Sequence, residues 1–159
     1  MNPDKRVLIV DDDEAIRNLL GAVLRKRSLT VEMAPDGRHA LDRLTAGERY
    51  DLILLDLMMP NLDGAGFLAH LSALPLEVRP MIVLITASHD ADFDRVDQRM
   101  VAGLVRKPFD IFELADLVEG SIESSRRERG LSPGVPALEP LDNEPRVSPS
   151  ILIKRTGDS

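Results

Sequence analysis

The sequence predicts an α/β domain, with an open, doubly wound sheet of five parallel strands covered on both faces by helices. Three observations support this. Five short apolar runs alternate with amphipathic stretches, the order that builds a parallel sheet. The runs are continuously apolar, as expected of strands buried on both sides. Right-handed crossovers between parallel strands then restrict the topology to a doubly wound one.

Val7-Leu8-Ile9-Val10 is the first strand, and Ala15, Ile16, Leu19, Leu20, Val23 and Leu24 recur after it at helical spacing. Thr30-Val31-Glu32-Met33 is the second strand. Pro35-Asp36-Gly37 breaks the chain before a helix marked by Ala40, Leu41 and Leu44. Leu52-Ile53-Leu54-Leu55, the most apolar strand, ends at Asp56, and a loop leads to a helix carrying Phe67, Leu68, Leu71 and Leu74. Met81–Ile85 is the fourth strand, and a polar helix is expected over roughly Asp90–Met100. Leu104-Val105 is a short fifth strand, and an amphipathic helix is expected over Ile111–Ile122.

Composition narrows the function. The 159 residues are 43% hydrophobic and 30% charged, which suits one globular domain with an appendage. A net charge of -7 argues against general binding to nucleic-acid phosphates. The absence of cysteine excludes disulfides, thiolate metal sites and cysteine nucleophiles. No apolar run reaches membrane-spanning length, and Met1–Arg6 leads into the first strand without a signal-peptide pattern, so a cytoplasmic location without membrane insertion is expected. Residues 1–124 are expected to form the domain. Residues 125–159, with Pro133, Pro136, Pro140, Pro145 and Pro149, read as a flexible Pro-rich tail. Its apolar cluster Ile151-Leu152-Ile153 belongs either to a disordered end or to a docking segment for a partner or for this domain.

Polar residues recur where the strands stop: Asp11-Asp12-Asp13, Asp56, Thr86 and Lys107. Ligands of open parallel sheets bind beyond the carboxyl ends of the strands, so these scattered positions converge. Clustered carboxylates repel one another, and a divalent cation relieves the conflict. All-oxygen donors favour Mg²⁺ or Mn²⁺. Asp56, central in the set, is the expected nucleophile for a phosphoryl group. Lys107 offers a positive charge to the phosphate and Thr86 a hydroxyl, while Ala87 leaves room. Asp13 reads equally well as a cap of the first helix. His39, His70 and His89 lack ligand spacing and read as surface residues.

The runs Val7–Glu14, Asp51–Pro60, Ile85-Thr86-Ala87 and Lys107-Pro108-Phe109 resemble the signatures of the response-regulator receiver family over roughly residues 5–123. The resemblance implies a flavodoxin-like fold with strand order 2-1-3-4-5 and five helices. It also implies that Asp56 is phosphorylated by a histidine kinase or phosphotransfer protein. Asp11, Asp12 and Asp56 would form the acidic pocket. Asp12, Asp56 and the backbone carbonyl of Met58 would bind Mg²⁺, with Asp11 acting through a metal-bound water. Thr86 and Lys107 would contact the phosphoryl oxygens, and the Lys107–Pro108 bond would be cis. Pro60 and Gly64 match the loop after the phosphorylated strand. Two departures concern output: Leu104 stands where the family often has a switch aromatic, and Met100-Val101 replaces a Gly-Ala pair. Switching would then rest on Thr86, and would act on the face built from the fourth helix, fifth strand and fifth helix.

The leading expectation is therefore a stand-alone receiver of a two-component phosphorelay that changes its binding to a downstream protein. A phosphorylation-independent pseudo-receiver is the alternative. A haloacid-dehalogenase-type phosphatase would need an acid at position 58, where Met58 stands. A DNA-binding regulator would need a recognition helix that the tail lacks.

Overall fold

The computed structural model describes residues 4–57, 64–87 and 96–128, together with the backbone of residues 151–153. The strands are β1 (Arg6–Val10), β2 (Thr30–Ala34), β3 (Leu52–Asp56), β4 (Met81–Thr86), β5 (Gly103–Arg106) and β6 (Ile151–Ile153). The α-helices among the described residues are α1 (Glu14–Arg25), α2 (Gly37–Thr45), α3 (Gly64–Leu71) and α4 (Ile111–Glu128). The sheet order is β2-β1-β3-β4-β5-β6. Its first five strands are parallel and follow the expected 2-1-3-4-5 order.

Alternate residues of each central strand serve opposite faces, and both faces are covered. Val7, Ile9, Leu52, Leu54, Val83, Ile85 and Val105 pack with Leu20 and Leu24 of α1 and Leu114, Val118 and Ile122 of α4. Leu8, Val10, Ile53, Leu55, Ile82, Leu84 and Leu104 pack with Ala40 and Leu44 of α2 and Phe67, Leu68 and Leu71 of α3. Burial on both sides is why these strands read as unbroken apolar runs. Among the described residues no helix is long and apolar enough to cross a membrane.

The structure differs from expectation at four places. A sixth strand, β6, joins the sheet antiparallel to β5. Most of the helix expected over residues 90–100 falls outside the described residues, and its final part, Gln98–Met100, is a 3-10 turn. Leu19, although at helical spacing, is 57% exposed because α1 turns that position away from the sheet. The last helix continues past Ile122 to Glu128, so residues 125–128 of the expected tail are helical. The rest of the expected tail, residues 129–150 and 154–159, lies outside the described residues.

Arg126 explains the longer helix. Its guanidinium is buried and donates to both Asp51 carboxylate oxygens at 3.1 Å and to the Asp4 carbonyl at 3.0 Å. The charge that marks a tail in the sequence is thus matched at the amino end of β3. Asp51 is further committed to the Arg6 amide at 2.9 Å. Arg126→Met is expected to lower stability by about 2 kcal/mol, because it strands a partly buried carboxylate. Denaturant unfolding measures this, and an unchanged midpoint at constant slope would show that the pair contributes nothing.

Candidate functional site

The site is built by residues that follow the strands. The Asp11 amide donates to the Ala34 carbonyl at 3.3 Å, which carries the β1–β2 pairing one residue past β1. Asp56 closes β3 opposite Ile85 of β4. Thr86 ends β4 opposite Arg106 of β5, and its carbonyl accepts from the Lys107 amide at 2.8 Å. Parallel pairing therefore brings Asp11, Asp56, Thr86 and Lys107 to one edge of the sheet.

The expected acidic pocket forms. One carboxylate oxygen from each of Asp11, Asp12 and Asp56 lies within 4.8 Å of the other two. Asp11 and Asp56 are buried, and Asp12 faces solvent. The Lys107 ammonium lies 3.4 Å from Asp11 Oδ2 and 3.4 Å from Asp56 Oδ2. Burial works to lower the pKa of that ammonium. The charges of Asp56 and Asp11 outweigh it, so the pKa stands above the ordinary lysine value. The ammonium thus stays charged through neutral pH. Among the described residues three carboxylates face one ammonium, which leaves the pocket anionic, and their oxygen donors fit a hard divalent cation such as Mg²⁺ or Mn²⁺.

Local geometry holds the Asp11–Asp13 loop. Asp13 caps α1, its Oδ1 accepting from the Ala15 and Ile16 amides at 2.9 and 3.2 Å. Its own amide donates to Asp11 Oδ1 at 2.9 Å. Of the two expectations for Asp13, the helix cap is what the structure displays. Arg17, which the sequence reading did not single out, donates to the Asp11 carbonyl at 2.6 Å. Its signal was available: it lies one helical turn after the Asp13 cap, on the face that points back towards the loop.

Gly64 shows how closely α3 approaches the site. A Cβ there would stand 2.9 Å from the Asp56 carbonyl oxygen and 2.9 Å from Leu57 Cα, both backbone atoms. Gly64→Ala is therefore expected to displace the Asp56–Leu57 backbone. We expect it to lower stability by roughly 1–3 kcal/mol and to weaken metal binding by the pocket. Mg²⁺ titration monitored by amide chemical shifts reads the second effect, and a wild-type titration curve would refute it.

The remaining expectations divide. Lys107–Pro108 is cis. Ala87, beside Thr86, is exposed. Leu104 is buried with Ile82, Leu84, Val96 and Val101, and it has no ring to rotate. His39 is a surface residue whose Nδ1 lies 2.8 Å from Asp36 Oδ1, and His70 is exposed. Met58, Pro60 and His89 lie outside the described residues.

Comparison with known proteins agrees with this geometry. The family model described as response regulator receiver domain matches residues 7–119. Sporulation initiation phosphotransferase F of Bacillus subtilis (strain 168) is 35% identical over 117 residues, covering 73% of this chain and 92% of that protein. Response regulator MprA of Mycobacterium sp. (strain KMS) is 37% identical over 144 residues, covering 86% of this chain but only 58% of that relative. The match thus spans nearly all of the first relative and little more than half of the second. The receiver domain of Francisella response regulator 1452 aligns with a TM-score of 0.67 at 26% identity, covering 77% of this chain and 99% of that one.

Proposed function

The chain belongs to the response regulator receiver domain family, and from that premise we propose that it accepts a phosphoryl group on Asp56 in a Mg²⁺-dependent reaction and thereby changes its binding to a downstream protein. Receiver domains are signalling phosphoacceptors of two-component systems, supplied by histidine kinases or phosphotransfer proteins. The observation that carries the reading for this chain is the Lys107 ammonium set between Asp11 and Asp56, beside Asp12.

In this reading an Asp56 carboxylate oxygen attacks phosphorus of a phosphohistidine donor. The new P–O bond replaces the P–N bond, and the imidazole leaves with the electron pair and takes a proton. Asp12 and Asp56, with the Met58 carbonyl, would hold the Mg²⁺, and Asp11 would reach it through water. The ion would supply charge neutralisation for the incoming phosphoryl oxygens. Lys107 provides a fixed positive charge on the opposite side, and the Thr86 hydroxyl donates to a phosphoryl oxygen. Because Leu104 is an aliphatic core residue, the response would run through Thr86 and the strand that follows it. The chain is read as a phosphoacceptor rather than an enzyme with a substrate of its own, as a cytoplasmic protein, and as a receiver domain followed by a C-terminal tail. Direct nucleic-acid binding is not part of this reading.

The test is phosphorylation by acetyl phosphate, followed by intact mass. One phosphoryl group per chain is expected in Mg²⁺. Chelation with EDTA is expected to slow labelling by about a hundredfold or more, the effect of losing several kcal/mol of charge stabilisation. No labelling in Mg²⁺ would favour the second reading, a phosphorylation-independent interaction module, for which the buried aliphatic Leu104 is the one supporting feature.

A further inference from the structure

One row of the sheet register runs from the acidic pocket to the outer edge. Asp56 of β3 stands opposite Ile85 of β4, Ile85 opposite Val105 of β5, and Val105 opposite Ile151, the first residue of β6. The next row sets Thr86 opposite Arg106, and the Lys107 amide donates to the Thr86 carbonyl at 2.8 Å. The Lys107 ammonium lies 3.4 Å from Asp56 Oδ2. The carboxyl end of β5 is thus tied to the pocket on one side and to β6 on the other.

The two ties differ in strength. Because the Lys107 amide faces β4, strand alternation turns Val105 and Gly103 towards β4 and Leu104 towards β6. Leu104 stands opposite Leu152, and in an antiparallel ladder two opposed residues that face each other exchange both N–H···O bonds. β6 is only Ile151–Ile153, so this pair is the centre of its attachment. Residues 129–150 separate β6 from the end of α4, and closing so long a connection adds an entropic cost to the pairing. A strand so short and so connected has a low free energy of local opening. β5, in contrast, is paired with β4 over four positions, and Val105 and Ile85 are buried in one core cluster.

In the proposed phosphorylation the group on Asp56 engages the Lys107 ammonium and the Thr86 hydroxyl. Lys107 follows Val105 by two residues, and Thr86 follows the Ile85 partner of Val105 by one. Drawing both towards the phosphate displaces the carboxyl end of β5, and the weakly held β6 yields before β4 does. β6 is registered on the arrangement in which Lys107 touches the Asp56 carboxylate, so its pairing stabilises that arrangement.

We propose that Ile151–Ile153 is an intramolecular brake on this switch: its pairing with β5 opposes phosphorylation of Asp56, and phosphorylation releases it. The proposal rests on Asp56 being the phosphoacceptor. By linkage the two effects are a single coupling free energy and have the same size. The test compares the full-length chain with full-length Leu152→Pro, which removes the amide donor to the Leu104 carbonyl and changes no residue of the five parallel strands. The probe is beryllofluoride (BeF₃⁻) with Mg²⁺, a non-covalent mimic of the phosphoryl group. Amide chemical shifts give its affinity, and hydrogen exchange at the Leu104 amide gives the opening of β6. In the wild type, saturating BeF₃⁻ should speed Leu104 exchange by about tenfold. Leu152→Pro should expose that amide without the probe and should bind BeF₃⁻ more tightly by about the same factor. A substitution that merely damaged the domain would weaken binding instead. Binding with Leu104 exchange unchanged, or an affinity of the variant equal to or weaker than wild type, would overturn the brake and leave Asp56 as the acceptor. No binding to either protein would overturn the phosphoacceptor reading and the brake with it.

Discussion

Asp56→Asn is expected to reduce phosphoryl labelling from acetyl phosphate by at least about a thousandfold, which makes it undetectable by intact mass. A carboxylate oxygen is the nucleophile, and an amide oxygen is neutral and far weaker. The substitution is nearly isosteric, and Asp56 ends a strand whose other residues are fully buried aliphatics, so the fold should persist. The Lys107 ammonium keeps Asp11 as a partner at 3.4 Å. Lys107→Met should give a different result: Asp56 remains, but labelling slows by roughly a hundredfold because charge stabilisation is lost at one position. Labelling of Asp56→Asn at the wild-type rate would place the acceptor elsewhere and remove the basis of the proposed function.

A second large effect has the opposite sign. Without a divalent ion, Asp12→Asn is expected to stabilise the chain. Carboxylate oxygens at about 4.8 Å repel by roughly 3.5 kcal/mol per pair at an effective dielectric constant near 20. Asp12 faces both Asp11 and Asp56, whereas the Lys107 contacts go to those two residues and not to Asp12. Asp12 is exposed, and solvent screening reduces the net gain to about 1–2 kcal/mol. Added Mg²⁺ should reverse the ranking. The wild type gains about 2.7 kcal/mol when the ion is a hundredfold above its dissociation constant, while the variant, short of one ligand, gains less. Thermal unfolding with EDTA and with Mg²⁺ measures both halves of this crossing. A variant less stable than wild type in EDTA would mean that Asp12 is held by attractions stronger than the repulsion.

The clustering of the candidate site's residues was largely legible in the sequence. Asp11, Asp56 and Lys107 each follow an apolar run, and parallel strands in a doubly wound sheet put such positions at one edge. Strand positions were readable because burial on both faces leaves unbroken aliphatic runs such as Leu52–Leu55. What escaped were contacts between distant segments, on which local periodicity carries no information. Arg126 looks like a tail charge until Asp51 comes within 3.1 Å. Ile151–Ile153 looks like an isolated cluster until it pairs with β5. Leu19 fits the helical period of α1, yet one helix packed on one sheet buries only a stripe, and Leu19 falls outside it.

The Asp11–Asp13 loop is tied in three ways: by the Asp13 amide on Asp11, by the Asp13 cap on α1 and by Arg17 on the Asp11 carbonyl. Its oxygens are therefore arranged when the chain folds, and in the proposed reading an arriving cation would find a socket rather than having to gather one. The ordering entropy of this loop is already spent, so ion capture and loss would need no rebuilding of it.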